Sequence, residues 1–321
     1  MYVNEVKGKG CIVARVVADS MSESASIRIT TLELEYPRWI HGELLTHRVF
    51  SRNASSSRAI PIKKVIEQVR NDPATPIHWG ANQPGMQAEE ECNNFVTMPE
   101  QSCLEVCTRE LAWAEAANSA ADIAEAMSGA GYHKQIVNRL LEPFQKMKTV
   151  VTATEWDNFF ELRAHKDAQP EIAELAMTMK KAMEGSTPER LKEGEWHTPY
   201  VNHLRNCTGK LLYTLQGKSH KTTLFDEDMA LSAEEALKVS SSCCAQVSYR
   251  LLDTSLDKAI QIYDKLISSE PIHASPFEHC ATPMKFNGHN ECVSEGWTHI
   301  DKYGDCWSGN FTGWIQYRQI I

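Results

Sequence analysis

Four arginines, two histidines and a run of serines hold most of the chemistry this sequence can do. In THRVFSRNASSSR, residues 46–58, His47 and Arg48 leave the end of an apolar-periodic segment, and Ser56 and Ser57 present hydroxyls and approachable amides ahead of Arg58. An arginine grips a phosphate through two parallel charge-assisted hydrogen bonds, and small side chains let backbone N–H groups come close to an anion. The stretch therefore suits a nucleotide phosphate. Further on, NRLLEPF (138–144) supplies Arg139, ATEWDNFFELRAHK (153–166) supplies Asn158 and Arg163, and HASPFEH (273–279) supplies His273 and Ser275. Taken singly, each arginine reads as a surface or ion-pairing residue, each histidine as a satisfied polar one, and Trp156, Phe159 and Phe160 as core. The spacing between them carries the functional argument.

The elements that must position these groups follow from periodicity. Cys11–Ala18 and Ser26–Leu34 alternate apolar and polar residues and are rich in β-branched ones, which predicts two strands. Arg38–Phe50 has helical periodicity behind Pro37, so His41, Glu43, His47 and Arg48 are expected on a helix, and Ser51–Arg58 on a polar loop entering a site. A helix restarts at Pro61. The Pro- and Gly-rich stretch 71–86 reads as a long irregular connection. Alanine-rich helices are expected over 100–141, broken at Gly129 and Gly131 and ended by Pro143. A short strand at Lys148–Ala153 and helices at Glu155–Leu162, Pro170–Met183, Ser232–Val239 and Thr254–Ile267 complete the pattern, with Ser232 and Glu235 matching a capping box. Glu184–Glu195 reads as a charged linker.

The totals bound the class. With 321 residues, 42% hydrophobic and 23% charged, the chain can bury a sizeable core, and its formal charge of −9 gives no general attraction for nucleic acid. No apolar run is long enough to span a membrane and the first residues lack a signal-peptide pattern, so a cytoplasmic protein is expected. The ten cysteines include no CxxC pair; Cys103 and Cys107 fall at helical spacing. The gaps among Cys280, His289, Cys292, His299 and Cys306 fit no zinc pattern, so reduced thiols and no metal site are expected.

The motif at 46–58 resembles the signature of the flavin-dependent thymidylate synthases, the ThyX family, in which Arg-His-Arg is followed by seven residues and then Ser. His47, Arg48 and Ser56 keep the pattern, and Arg58 stands where that family has a phosphate-binding arginine. Asn158 with Arg163 five residues on is similar to the family's helix that touches flavin and pyrimidine, and Arg139 to another arginine on the phosphate. AQVSY (245–249) and HASPFEH resemble segments that in familiar members precede the Arg-His-Arg motif; here they follow it. Thr46 replaces the first arginine of the motif, Ala54 a frequent acid, and Thr152 and Thr154 residues that are often Asn and Arg.

The resemblance implies an α+β fold, a ThyX-like sheet with flanking helices in a permuted chain order. It implies one catalytic domain over 1–321 of a longer, phage-type form, with 70–99 and 184–232 unassigned. Its activity would be transfer of a one-carbon unit from methylenetetrahydrofolate to C5 of a pyrimidine deoxynucleotide, dUMP to dTMP, with FAD as cofactor and NADPH as reductant. Arg163 would stabilise charge developing on the ring. Ser56, Ser57, Arg58 and Arg139 would hold dUMP by its phosphate, and His47, Arg48, Asn158, His273 and Ser275 would hold the flavin. Partners would be the small-molecule nucleotide and other copies of the chain in a homotetramer with shared sites. Hydroxymethylation, dCMP as substrate, and a nucleotide-binding homologue without catalysis are the alternatives.

Overall fold

Two long antiparallel strands form the hairpin on which the rest of the chain is arranged. The computed structural model describes residues 4–99, 105–216, 230–284, 298–300, 306–307 and 309–321. A short β1 (Glu5–Lys7) precedes the hairpin of β2 (Val13–Ser22) and β3 (Arg28–Pro37); both strands fall where alternation places them and run on to Ser22 and Pro37. Then come β4 (Ser51–Ala54), the two-residue ladder of β5 (Val96–Thr97) with β6 (Val106–Cys107), β7 (Lys146–Ala153) and β8 (Glu189–Leu191). The main sheet has the order β1-β2-β3-β7-β4, antiparallel throughout, and β8 adds to β2 in parallel. A register shift between Val16 and Ala18 marks a bulge in β2.

Helices cover both faces. On one, α5 (Asp157–Arg163) and α6 (Pro170–Glu184) pack over Leu32, Leu34, Tyr36 and Val151; Ile172, Leu175, Ala176 and Met179 of α6 recur at helical spacing and are fully buried. On the other, α7 (Ala233–Gln246) packs with Ile29, Val150 and Tyr200, and with the hairpin of β9 (Val201–Arg205) and β10 (Leu211–Leu215). Each Leu or Ile buried in these layers contributes about 1.5–3 kcal/mol. A third cluster joins α2 (Ile62–Asn71), α3 (Arg109–Gly129) and the 3-10 helix Asn138–Phe144, which follows the short α4 (Lys134–Val137). The expected capping box is present: Ser232 Oγ accepts from the Glu235 amide at 3.2 Å, and Glu235 Oε2 from the Ser232 amide at 2.8 Å. The chain ends with α8 (Leu256–Ile267), β11 (Ala281–Pro283) paired to β14 (Trp314–Gln316), and β12 (His299–Ile300) paired to β13 (Cys306–Trp307).

Four expectations are corrected. The helix over Arg38–Phe50 is a 3-10 turn, Arg38–Ile40, and a single turn α1 (His41–Leu45), because Phe50 must enter the core and the chain turns to meet it. Half of the supposed loop Ser51–Arg58 is β4, whose pairing to β7 satisfies its backbone. The charged linker contains β8, tied down where Arg205 bonds Glu189 at 2.7 Å and Glu195 at 2.8 Å. Pro143 lies inside the 3-10 helix rather than ending an α-helix. Cys103, His289 and Cys292 lie outside the described residues; Cys107 and Cys280 are buried thiols. Among the described residues no helix is long and apolar enough to cross a membrane.

Candidate active site

The centre of the site is a junction between α1 and α5. Arg52 of β4 closes the end of α1, its Nη1 donating to the carbonyls of Leu44 and Leu45 at 3.2 Å and of His47 at 2.9 Å. The turn so fixed drives His47 inward, stacked on Phe50 at 5.7 Å and edge-on to Phe159 at 4.8 Å. Arg163, in the last turn of α5, reaches across: Nε donates to His47 Nε2 at 3.2 Å, Nη1 to Glu43 Oε2 at 2.9 Å and Nη2 to Thr46 Oγ1 at 3.3 Å. His47 accepts at Nε2, so its proton sits on Nδ1. Burial, reinforced by the charges of Arg163 and Arg52, lowers its pKa and keeps it neutral. Thr46, in place of the motif's first arginine, thus serves as a hydroxyl partner of Arg163.

Arg163 and Glu43 line a cleft of about 1220 Å³ whose floor includes Trp39 and Trp113. Its facing wall is the segment that the sequence left unassigned, including Pro76, His78, Met86 and Gln87. That wall is fastened from below: Ala74 N–H donates to the Phe144 carbonyl and Trp113 Nε1 to the Ala74 carbonyl, both at 2.9 Å. Arg109 bonds the Cys92 carbonyl and Glu91, and its guanidinium lies 5.5 Å from the Trp79 ring centre. At the cleft margin Glu142 accepts from Arg38 at 2.9 Å and from Arg139 at 3.2 Å.

The serine loop is shaped by buried Asn138, whose amide nitrogen donates to the carbonyls of Ser57 at 2.5 Å and Ile60 at 3.2 Å. Lys134 Nζ holds the Ala59 carbonyl at 3.0 Å. The loop bearing Arg58 is therefore tied to the residue next to Arg139. Ser57 is buried and Ser56 partly so, while Arg58 is exposed. The AQVSY stretch docks here as well, since Ser56 N–H donates to the Ser248 carbonyl at 3.0 Å.

HASPFEH also returns to β4, as a 3-10 helix over Ser275–His279. Behind it a row of buried polar groups crosses four strands. The Asn53 amide nitrogen lies 3.1 Å from His279 Nε2 and 3.2 Å from the Ser275 carbonyl oxygen. His279 Nδ1 meets Thr152 Oγ1 at 2.8 Å, Thr152 meets Thr31 at 2.7 Å, Thr31 meets His197 Nε2 at 2.8 Å, and His197 Nδ1 meets Ser20 Oγ at 2.9 Å. With Asn53 donating at one end, every bond runs the same way: both imidazoles accept at Nε2 and donate from Nδ1. Burial holds them neutral, His279 pushed down to about 3 and His197 well below its ordinary value.

The structure brings Arg163 and the Glu142 partner of Arg139 to one cleft, sets buried His47 behind Arg163, and ties the Arg58 loop to the Arg139 helix. Arg48, Asn158, His273 and Ser275 are exposed. Sequence reasoning missed Glu43 as the counter-charge of Arg163, although its i,i+4 spacing from His47 was a usable signal. Asn138, Glu142 and the Thr–His row had none, because nothing in a strand's alternation says which partners meet across the sheet. Thr152, noted as a departure from the family, is the middle of that row; Thr154 Oγ1 accepts from the Thr312 amide at 3.0 Å.

Sheet and cleft together define an α+β protein with cationic and hydroxyl groups gathered around the exit of one short edge strand. The chain matches the model of the family described as thymidylate synthase complementing protein over residues 13–189, more than half its length, and belongs to that family. It is a ThyX-like methyltransferase. The match contains Arg48, Arg58, Arg139 and Arg163 and ends before AQVSY and HASPFEH. Among solved structures it is similar to a UMP/dUMP methylase, PolB, from Streptomyces cacaoi bound with 5-Br dUMP, at 15% identity over 55% of this chain and 90% of that one, TM-score 0.38. The same enzyme bound with 5-Br UMP gives 15% identity over 56% and 91%, TM-score 0.40. Thymidylate synthase X from Helicobacter pylori with FAD and dUMP gives 15% over 50% and 70%, TM-score 0.33. No curated protein sequence matches significantly.

Proposed function

We propose that the protein transfers a one-carbon unit from methylenetetrahydrofolate to C5 of a pyrimidine deoxynucleotide monophosphate, dUMP to dTMP, with FAD as cofactor and NADPH as the reductant. The observation that carries this reading is the guanidinium of Arg163, held by Glu43, His47 and Thr46 at the wall of a cleft large enough for a nucleotide. Activating C5 moves negative charge onto the ring nitrogen and oxygens, and a pre-oriented guanidinium stabilises that charge. Neutral His47 orients Arg163 without opposing its charge. Ser56, Ser57, Arg58 and Arg139 hold the phosphate, the loop kept in shape by Asn138, so that binding energy is used for positioning.

The donor set at the surface fits a flavin. Arg48 offers a cation, Asn158 an amide, Ser275 a hydroxyl and His273 an imidazole, all exposed and all reached from segments that border β4 or α5. Reduced FAD supplies hydride when bound. One domain over 1–321 in permuted order is supported by AQVSY and HASPFEH both docking on β4. A shared-site homotetramer is supported by exposed apolar neighbours of three arginines: Leu45 and Val49 beside Arg48, Leu140 beside Arg139, Leu162 beside Arg163.

A second reading rests on Glu43. A carboxylate at the ring edge accepts from the exocyclic amine of cytosine, which favours dCMP in the same site, with methyl or hydroxymethyl product. Tritium release from [5-3H]dUMP and [5-3H]dCMP, with methylenetetrahydrofolate, FAD and NADPH, tests both. Release from dUMP with a product that carries a methyl group in place of the C5 hydrogen is expected; release from dCMP alone would favour the second reading, and no release from either would remove the enzymatic proposal.

A further inference from the structure

The cleft wall that faces Arg163 is a small hairpin of its own, formed by residues 78–92 outside the main sheet. Ala81 N–H donates to the Glu90 carbonyl at 2.7 Å and Cys92 N–H to the Trp79 carbonyl at 2.8 Å, and Gly80 pairs with Glu91. His78 Nε2 spans the two arms to the Ala88 carbonyl at 2.7 Å. The arms approach so closely that a Cβ on Gly80 would stand 2.2 Å from that of Ala88. The base of this flap is pinned from two sides. Arg109 of α3 bonds Glu91 and the Cys92 carbonyl, and buried Glu171 of α6 accepts from the Ile77 amide at 3.0 Å. The tip is held far less. Among the described residues, 82–87 make one bond outside the flap, from Gln87 Nε2 to the Asp167 carbonyl at 3.4 Å, on the bank of the cleft that bears Lys166 and Arg163. A pinned base and a tip held by one long hydrogen bond leave the motion to the tip.

What the tip presents is apolar. Gly85 turns left-handed there, φ +102°, with open space around it, and Met86 follows with its side chain wholly in water, the most exposed large apolar residue among those described. A lone apolar side chain on a surface is ordinary. Met86 differs in its place, because it lines the cleft that has Trp39 and Trp113 on its floor and Arg163 on its far bank. The charges of the flap decide what it can cover. Residues 78–92 include three glutamates and no lysine or arginine, so the flap repels a phosphate. Its cleft side offers a thioether on an unbranched chain, which packs well on aromatic rings and adapts to irregular surfaces.

We propose that the flap closes over an aromatic ring bound in the cleft, with Met86 as the group that covers it. The proposal rests on the nucleotide-and-flavin reading above. The pyrimidine of the nucleotide and the isoalloxazine of FAD share this chemistry, and the arms of the test separate them. Closing costs the tip little, since only the Gln87 bond is exchanged. It removes water from the ring that Arg163 faces, and so strengthens the hold of that guanidinium on developing charge.

The test is oxidative footprinting of the full-length protein. Dilute hydrogen peroxide converts accessible methionine to its sulfoxide, and peptide mass spectrometry reads the rate at Met86 against that at half-exposed Met177 of α6. Rates are compared without ligand, with dUMP, with FAD and with both, binding being followed separately by calorimetry. Met86 is expected to oxidise fast in the free protein and several-fold more slowly once the ring is bound, with Met177 unchanged. Protection by dUMP alone assigns the pyrimidine, protection by FAD alone the isoalloxazine, and protection that needs both the assembled pair. Met86→Gln replaces a wholly exposed side chain and leaves the melting temperature unchanged, yet it should bind the protecting ligand about 2- to 10-fold more weakly, the worth of a thioether on a ring. Met86→Leu keeps the apolar cover and most of the affinity. Three results overturn the proposal: oxidation of Met86 at the same rate with ligand bound as without; full protection already in the free protein, which marks a surface covered by another copy; and equal affinity of Met86→Gln and wild type for the protecting ligand. If the wild type binds neither dUMP nor FAD, the nucleotide-and-flavin reading fails and the flap proposal with it, whereas bound ligand beside an unprotected Met86 removes the flap proposal alone.

Discussion

Arg163 is held on three sides before any substrate arrives. A guanidinium that already points into the cleft need not be reorganised as charge develops, and that is where preorganised donors are most effective. We expect Arg163→Lys to fold normally and to lose about 100-fold or more in kcat/KM, because an ammonium cannot satisfy His47, Glu43 and Thr46 in their present geometry while facing the ring; steady-state kinetics beside a circular dichroism melt check this. Glu43→Gln keeps a hydrogen-bond acceptor and removes the counter-charge, so the ratio of kcat/KM for dCMP to that for dUMP should fall. At this scale the motif spacing singled out His47 and Arg163, two side chains that the structure brings into contact. The sequence was not readable where two side chains meet only because distant strands are adjacent, as Thr152 meets His279.

Two elements owe their form to side chains rather than to their own periodicity. The turn that ends α1 depends on Arg52, whose one nitrogen serves three carbonyls. Arg52→Met should destabilise the fold by about 1–3 kcal/mol in urea unfolding, the cost of leaving those partly buried carbonyls unpaired. Asn138 does the same for the serine loop. If the serine loop holds the phosphate as proposed, Asn138→Ala should raise KM for the nucleotide several-fold with a smaller effect on kcat, since it frees the Ser57 and Ile60 carbonyls and leaves Arg163 in place. The strands β2, β3 and β7, and helices α5 to α8, were legible because burial on one face imposes a period. The Arg38–Phe50 segment was misread because apolar residues at helical spacing also serve a turn that sends His47 and Phe50 inward. The strand β8 was hidden by its charges, of which Glu189 pairs with Arg205.

The whole molecule should be sensitive to acid. His41 and His203 are lowered to about 4 and His279 to about 3, in each case chiefly by burial, and His197 and His47 are lowered too. Unfolded, each takes up a proton near pH 6.5, so below that pH the unfolded chain binds more protons than the fold. The contribution of these groups is complete above about pH 6.5 and is lost as the pH falls toward 3–4, at up to about 1.4 kcal/mol per pH unit for each proton withheld. Urea midpoints measured from pH 7.5 to 4.5 should fall steadily, and His279→Asn should flatten the slope even if it lowers the plateau. At the same scale, Val49→Glu should shift light-scattering mass below that of the wild type if the apolar neighbours of Arg48 are covered by another copy.

The one-way order of the Thr–His row has a consequence far from the cleft. Ser20 is its last acceptor, and replacing it with alanine strands the His197 Nδ1–H in a dry interior. The cheapest relief is for every proton along the row to change sides at once, which ends by rotating the Asn53 amide and releasing its grip on the Ser275 carbonyl. A hydroxyl on β2 would thereby set the posture of a loop it never touches.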